Sequence, residues 1–123
     1  MSSIEAQIEG LEFQISKARE FIKFRETIQR LVKYPEWKAV MENEYFTEEA
    51  ARLVHQSADP ALDLQQRADA LNMAQASGHL RRWISMQIKM ANTLEDGLVT
   101  QEETLEEMRA EATADAIDET EGE

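Results

Sequence analysis

Hydrophobic residues near the start of the chain recur at alternating spacings of four and three residues, which is the heptad pattern of a coiled coil. The pattern predicts a first helix over residues 3–33 with an apolar seam that runs as far as Ile22. Beyond it the apolar positions shift to Phe21, Phe24, Ile28 and Leu31, and we expect this wider face to enter a globular core. A seam on one long helix needs a second helix to cover it, so we expect an interface between copies of the chain. The residues of this predicted interface are Ile4, Ile8, Leu11, Ile15, Ala18 and Ile22. A monomeric bundle with solvated helix ends is the alternative.

The apolar pattern restarts twice in the middle of the chain. Pro35 lacks a backbone N–H and ends the first helix, but it suits the first position of a short second helix over residues 35–45. Thr47 is a good N-cap residue, and the two glutamates after it favour the positive end of a third helix over residues 48–57. We therefore expect two short helices between the long ones.

A long fourth helix is expected over residues 60–96. The Asp-Pro pair at 59–60 predicts its start and Gly97 predicts its end. The large apolar residues expected on its inner face are Leu64, Leu71, Met73, Leu80, Trp83, Ile84 and Leu94. Gly78, inside this helix, costs about 1 kcal/mol relative to alanine, and we expect it to mark close helix packing. A fifth helix over residues 101–114 has a narrow apolar stripe, and the residues after it have too little apolar surface to fold alone.

Together these elements predict an all-α fold. Two long helices, about 3–33 and 60–96, form an antiparallel hairpin, two short helices bridge it, and an acidic helix and tail follow. We expect a helical domain over residues 1–97 with a coiled-coil-like N-terminal segment. Residues 98–123 are expected to form an acidic amphipathic helix and a disordered tail.

The charge is unevenly distributed along the chain. The formal net charge is −12, yet residues 1–92 hold 13 acidic and 12 basic residues, whereas residues 93–123 hold 12 acidic residues and one arginine. Within the first part, residues 17–38 carry a net +4. These blocks are either solvated helix surface or a basic stripe that holds a partner beside an acidic tail that repels wrong partners.

Partner-binding candidates come from the basic stripe, the aromatic residues and the fifth helix. These residues are Arg19, Lys23, Arg30, Trp37, Leu105 and Met108. Trp37 belongs to an aromatic set with Tyr34, Tyr45, Phe46 and Trp83, which forms either the core of the helix junction or a hot spot for a partner. Too few aromatic residues alternate with basic ones to favour nucleic-acid binding.

The residue types that carry chemistry are scarce. There is no cysteine, and neither His55 nor His79 stands in a Glu-x-x-His or His-x-x-x-His pair, so we expect no metal or cofactor. Adjacent glutamates fit helix starts and need no acid–base role, and we expect no enzymatic activity. The chain has no apolar run of membrane-spanning length and no signal-peptide pattern, so we expect neither a membrane anchor nor export.

Two sequence segments, Tyr34-Pro35-Glu36-Trp37-Lys38 and Glu44 through Leu53, precede a long helix that contains Gly78-His79-Leu80. Over about residues 30–95 this arrangement resembles small helical proteins of tailed bacteriophages, which tend to be encoded among head and portal genes. The resemblance implies a virion or assembly protein, located in the virion or the host cytoplasm. It implies no activity and no catalytic residues.

These features are consistent with two functions. The first is a phage structural or head-assembly protein that self-associates and binds capsid, portal or other assembly proteins, whether it stays in the particle or leaves it. The second is an acidic DNA mimic or host-takeover adaptor that occupies a basic groove of another protein. A mimic needs carboxylates spread over its folded surface, whereas here they gather at one end of the chain.

Overall fold

The computed structural model describes residues 3–121, with side chains as far as Asp118, and in this part of the chain it is all-α. The long helices α1 and α4 pack together, and a middle helix lies between them in the chain. The elements are α1 (Ser3–Val32), α2 (Pro35–Trp37), a π-helical segment (Lys38–Glu49), α3 (Ala50–Ser57) and α4 (Leu64–Glu121). The coarse prediction of an all-α fold with long first and last helices is confirmed.

The chain forms two compact units. Unit 1 combines Met1–Phe24 with Lys89–Glu123, and unit 2 is Arg25–Ile88. Unit 1 holds 16 acidic and five basic residues, for a net charge of −11, whereas unit 2 has a net charge of −1. The acidity of the protein is thus a property of unit 1.

In unit 1, α1 and α4 run antiparallel. Arg19 of α1 pairs with Glu102 of α4, and Glu12, seven residues earlier, pairs with Arg109, seven residues later. The buried residues of α4 in this unit also repeat every seven positions, so two heptad seams face each other. The apolar side chains that are most deeply buried there are Ile15, Ala18, Ala91 and Leu105.

The π-helical segment makes the middle helix of unit 2 continuous. Pro35 lies in the first turn of α2, as predicted, but the chain then runs through the π segment into α3 without the predicted break. Thr47 is not an N-cap: its hydroxyl donates to the carbonyl oxygen of Glu42, five residues back, at 2.8 Å. Five is the hydrogen-bond interval of a π-helix, and such segments are rare outside single turns.

The π register changes which residues face the core. Trp37, Met41, Phe46 and Ala50 are half-buried, at spacings of four and five residues. We expected Val40 and Val54 to be buried as well, and this was wrong: they are 62% and 51% exposed. The extra residue in each π turn rotates Val40 away from the side that an α-helix would bury. Leu53, in contrast, is fully buried as expected.

The fourth predicted helix begins four residues later than expected, at Leu64. Asp59 forms a local turn, its side chain accepting from the Ala61 amide at 2.9 Å. The actual start is a capping box, in which Asp63 Oδ1 accepts from the Gln66 amide at 2.7 Å and Gln66 Oε1 accepts from the Asp63 amide at 3.1 Å. The reciprocal hydrogen bonds of Asp63 and Gln66, rather than Pro60, therefore determine where α4 begins.

Gly97 does not end α4, which continues to Glu121. The predicted fifth helix and the start of the predicted disordered tail are parts of this one helix, and residues 122–123 of that tail lie outside the described residues. Half-buried or buried residues recur every seven positions at Ile84, Ala91, Leu98 and Leu105. The packing of this continuous seam offsets the cost of about 1 kcal/mol that Gly97 adds to the helix relative to alanine.

The predicted inner face of α4 needs correction. Four of its large members are exposed: Leu64, Leu71, Met73 and Trp83. Ala70 and Ser77 are buried instead, because they lie fourteen and seven residues before Ile84 on the seam. Small residues at these positions keep the total buried apolar area of unit 2 modest.

Gly78 also differs from its prediction, since a Cβ built on it meets nothing within 4 Å. The glycine therefore has no packing reason for its place in the helix. We expect Gly78→Ala to raise the free energy of unfolding by about 1 kcal/mol, because alanine loses less backbone entropy on helix formation. Urea denaturation followed by circular dichroism measures this, and an unchanged or lower midpoint would contradict it.

Candidate interaction surfaces

The residues of the predicted interface lie in the seam of unit 1. Ile15 and Ala18 are 3% and 1% exposed within the single chain. The other four are half-buried: Ile4, Ile8, Leu11 and Ile22. Leu105 is buried and Met108 half-buried on the facing helix, so these two partner candidates are also seam residues. Most of this apolar surface is used inside the chain because α4 extends past Gly97 to cover α1.

One side of the helix pair in unit 1 carries ion pairs. Arg19 Nη2 lies 2.5 Å from Glu102 Oε1, and Arg109 Nη2 lies 3.3 Å from Glu12 Oε1. A groove of about 620 Å³ runs along this side, and Lys23 lines one end of it. Because the pairs are exposed, each is worth about 0.2–1 kcal/mol, so they set the register of the helices more than their stability.

The opposite side of the pair can be identified from the sequence order. Each of these four ion-pair residues directly follows a seam residue, as Arg19 follows Ala18. Since a helix turns 100° per residue, residues that directly precede a seam position lie on the other side. We name this side of unit 1 the open strip. Its residues include Phe21, Phe24, Met90, Thr93, Gly97 and Thr104.

The large residues of the open strip are exposed, although the sequence predicted that Phe21 and Phe24 would enter a core. Their exposed fractions are 36% and 43%, and that of Met90 is 42%. Sequence reasoning missed this strip because it assigned Phe21 and Phe24 to a wider face of α1 that enters a core. A second apolar stripe, one position before each seam residue, could have revealed it.

In unit 2 the middle helix packs its aromatic residues beside α4. The rings of Trp37 and Phe46 meet edge to face at 6.5 Å, and that of Tyr45 lies 5.6 Å from Phe46. Trp37 and Phe46 line a groove of about 530 Å³ whose far wall includes Ile84 and Ile88 of α4. Trp37 is half-buried, so it contributes to the junction core and still reaches the groove.

The other aromatic and basic candidates of unit 2 are at the surface. Trp83 is 48% exposed and Tyr34 60%, so neither is enclosed in the helix junction. Met86, three residues after Trp83, is equally exposed and extends the same helix face. Arg30 is exposed, and its Nη2 donates to Thr27 Oγ1 at 3.3 Å.

One carboxylate at the junction of the π segment and α3 has a shifted pKa. Arg52 donates from both Nε and Nη2 to Glu49, the Nε bond being 2.9 Å long. These hydrogen bonds, with the attraction of the guanidinium charge, lower the pKa of Glu49 below its ordinary 4.5 and raise that of Arg52. The pair is exposed, so its effect on stability is small.

The pair makes a pH-dependent prediction. A lowered pKa in the folded state stabilises the protein above the unfolded-state value of about 4.5, and this contribution is lost as the pH falls through the lowered pKa. Glu49→Gln should therefore be slightly less stable than the native chain at pH 7, and the difference should be smaller at pH 3. Urea midpoints at both pH values measure it, and a constant difference would count against the prediction.

One histidine lies in a groove with acidic residues, since His55 lines it together with Glu44, Glu48 and Glu49. His55 and His79 are both exposed, in α3 and α4 respectively. No group of three or more histidine, aspartate or glutamate side chains in the described part of the chain is arranged to hold a metal ion. Nor does any helix of the described residues have a stretch long and apolar enough to span a membrane.

Comparison with known proteins adds no family to these observations. No protein-family description, curated protein or solved structure matches this chain.

Proposed function

We propose that this chain is a non-enzymatic structural or head-assembly protein of a tailed bacteriophage. It acts in the virion or the host cytoplasm by helix-mediated self-association and by binding capsid, portal or other assembly proteins. The observation that carries the proposal is the number of large apolar side chains that two long helices leave exposed. These include Phe21, Phe24, Leu31, Trp83, Met86 and Met90.

Exposed apolar surface on helices supports protein contacts rather than chemistry. Aromatic residues and methionine are enriched at the centres of protein interfaces, and an amphipathic helix recognises a partner by anchors at spacings of three, four and seven. Trp83, Met86 and Met90 have this spacing on α4. The basic segment 17–38 and the acidic C-terminal part of α4 give the chain two differently charged segments that can orient a partner.

Mass spectrometry of purified particles and of precursor heads tests the proposal. We expect the chain in the mature particle if it is a retained component, or in the precursor alone if it is an internal scaffold. Its absence from particles and precursors alike would overturn the virion and assembly function.

The acidic adaptor is a second candidate, favoured by one structural observation. The carboxylates that the sequence assigned to a short helix and tail lie on one continuous helix, where Glu103, Glu107 and Glu111 are exposed at spacings of four. Such a row can meet a basic groove. Replacing all three by glutamine separates the candidates, since loss of every partner would favour the adaptor and retained assembly would favour the structural protein.

A further inference from the structure

We propose that the open strip of unit 1 is the surface on which a second copy of the chain docks, so that two helix pairs form a four-helix bundle. This inference rests on the self-association in the proposed function and names the surface that performs it. It also replaces the seam of α1 as the contact between copies, because α4 of the same chain already covers that seam.

The open strip is nearly uncharged over most of its length. Within residues 3–24 and 89–106, the residues that directly precede a seam position include one charged side chain, Lys17. Two threonines there bond to the backbone of their own helix: Thr93 donates to the carbonyl oxygen of Lys89 at 3.1 Å, and Thr104 to that of Thr100 at 2.9 Å. Their methyl groups are then what a partner would meet. Beyond this stretch Glu107 and Glu111 continue the same side of α4, so the nearly uncharged surface ends near Thr104.

Gly97 leaves open space on the strip. A Cβ built on this residue meets nothing within 4 Å, so packing inside the chain does not require glycine. Phe21, Phe24 and Met90 are large residues of the same strip. A small residue among large ones forms a notch that allows another helix to approach closely and that a neighbouring phenylalanine can fill.

Unit 1 has fewer helices than most helical bundles. Helices in water owe most of their stability to packing of an apolar face, and helical bundles usually bury it among three or four helices. Among its described residues, unit 1 has two helices and four deeply buried apolar side chains. A second copy provides two more helices without requiring a different protein.

The charges at the margin of the strip are of both signs, which suits a second copy of the chain. Lys17 and Lys89 lie there with Glu20, Asp96 and Glu103. Lys17 Nζ lies 3.3 Å from Glu20 Oε2 and 5.5 Å from the centre of the Phe13 ring. A two-fold axis brings the same patch of each copy together, and a patch with charges of both signs can be complementary to itself.

The experiment measures the mass of the full chain by light scattering over a range of concentrations. We expect the native chain to form a concentration-dependent dimer. The double variant Phe21→Glu with Met90→Glu should raise the dissociation constant of this dimer by about tenfold or more. Its helical signal in circular dichroism should be unchanged. The matched control for the substitution in α4, Met90→Glu, is Val99→Glu, which adds the same single charge at a 63% exposed apolar residue of that helix on the ion-pair side. This control should dimerise like the native chain.

A crosslinking measurement does not depend on how the charged variants fold. The chain has no cysteine, so Gly97→Cys and Val99→Cys each introduce a single thiol. A short thiol-specific crosslinker should join two copies through position 97 and not through position 99. A native chain that is monomeric at every concentration, or crosslinking that is equal at both positions, would overturn this docking surface. Neither result would affect the detection of the chain in particles, which tests the proposed function separately.

Discussion

Ile15→Asp should remove about 3–5 kcal/mol from the free energy of unfolding, the largest effect expected of a single substitution in unit 1. Ile15 is 3% exposed at the centre of the seam between α1 and α4. The substitution removes its buried methyl groups and places a carboxylate where no solvent reaches it. Urea denaturation followed by circular dichroism gives the loss, together with a fall in the helical signal at low denaturant.

A control on the same helix separates packing from added charge. Phe13→Asp introduces the same carboxylate two residues away, at a side chain that is 63% exposed, and it should cost about 1 kcal/mol or less. Equal losses for the two variants would mean that Ile15 is not a core residue. The mass by light scattering must be measured on the same samples, because a smaller mass for Ile15→Asp with a lost helical signal reports unfolding of unit 1.

That distinction marks the limit of the heptad pattern as evidence. Spacings of four and three identified the seam of α1 from Ile4 to Ile22 correctly, because any helix that covers this seam buries the same positions. The pattern is the same whether the covering helix comes from another copy or from later in the chain. Only the continuation of α4 past Gly97 decides between them, and the local sequence there indicated a helix end.

The mistaken boundaries share one cause, which is that local signals compete with each other and with packing. Pro60 and Asp63 both mark a helix start, and the reciprocal hydrogen bonds of Asp63 with Gln66 determine the real one. Gly97 costs about 1 kcal/mol in a helix, less than the burial of Leu105 beyond it provides. The π segment has no comparable signature, since its residues also suit an α-helix.

The candidate surface was predictable only in part. The basic and acidic segments could be counted in the sequence, and Trp37 was correctly placed at the helix junction. Which apolar residues stay exposed depends on which side of the helix pair is covered, and that is a tertiary property. Phe21 and Phe24 illustrate this, because their spacing fits a core as well as it fits the open strip.

Truncation after Gly97 should unfold much more than the 26 residues that it removes. Residues 98–112 of α4 supply the facing side of the seam, including Leu98 and Leu105, so without them Ile15 and Ala18 lose their cover. A helix of about 20 residues is marginal in water without such packing. We expect the first 24 residues to unfold, which lowers the helical signal in circular dichroism. Trypsin should then cleave after Lys17 and Arg19 about tenfold faster or more than in the full chain.

Truncation after Thr113 is the matched control for the loss of acidic residues. It removes the last ten residues, five of them acidic, but keeps the seam as far as Ala112. Cleavage after Lys17 should then stay as slow as in the full chain, because the packing of α1 is intact. Rapid cleavage in both truncations would mean that the end of α4 stabilises unit 1 by a route other than the seam. Slow cleavage in both would mean that α1 is stable without residues 98–113 of α4, and the antiparallel pair formed with them would not be the basis of this unit.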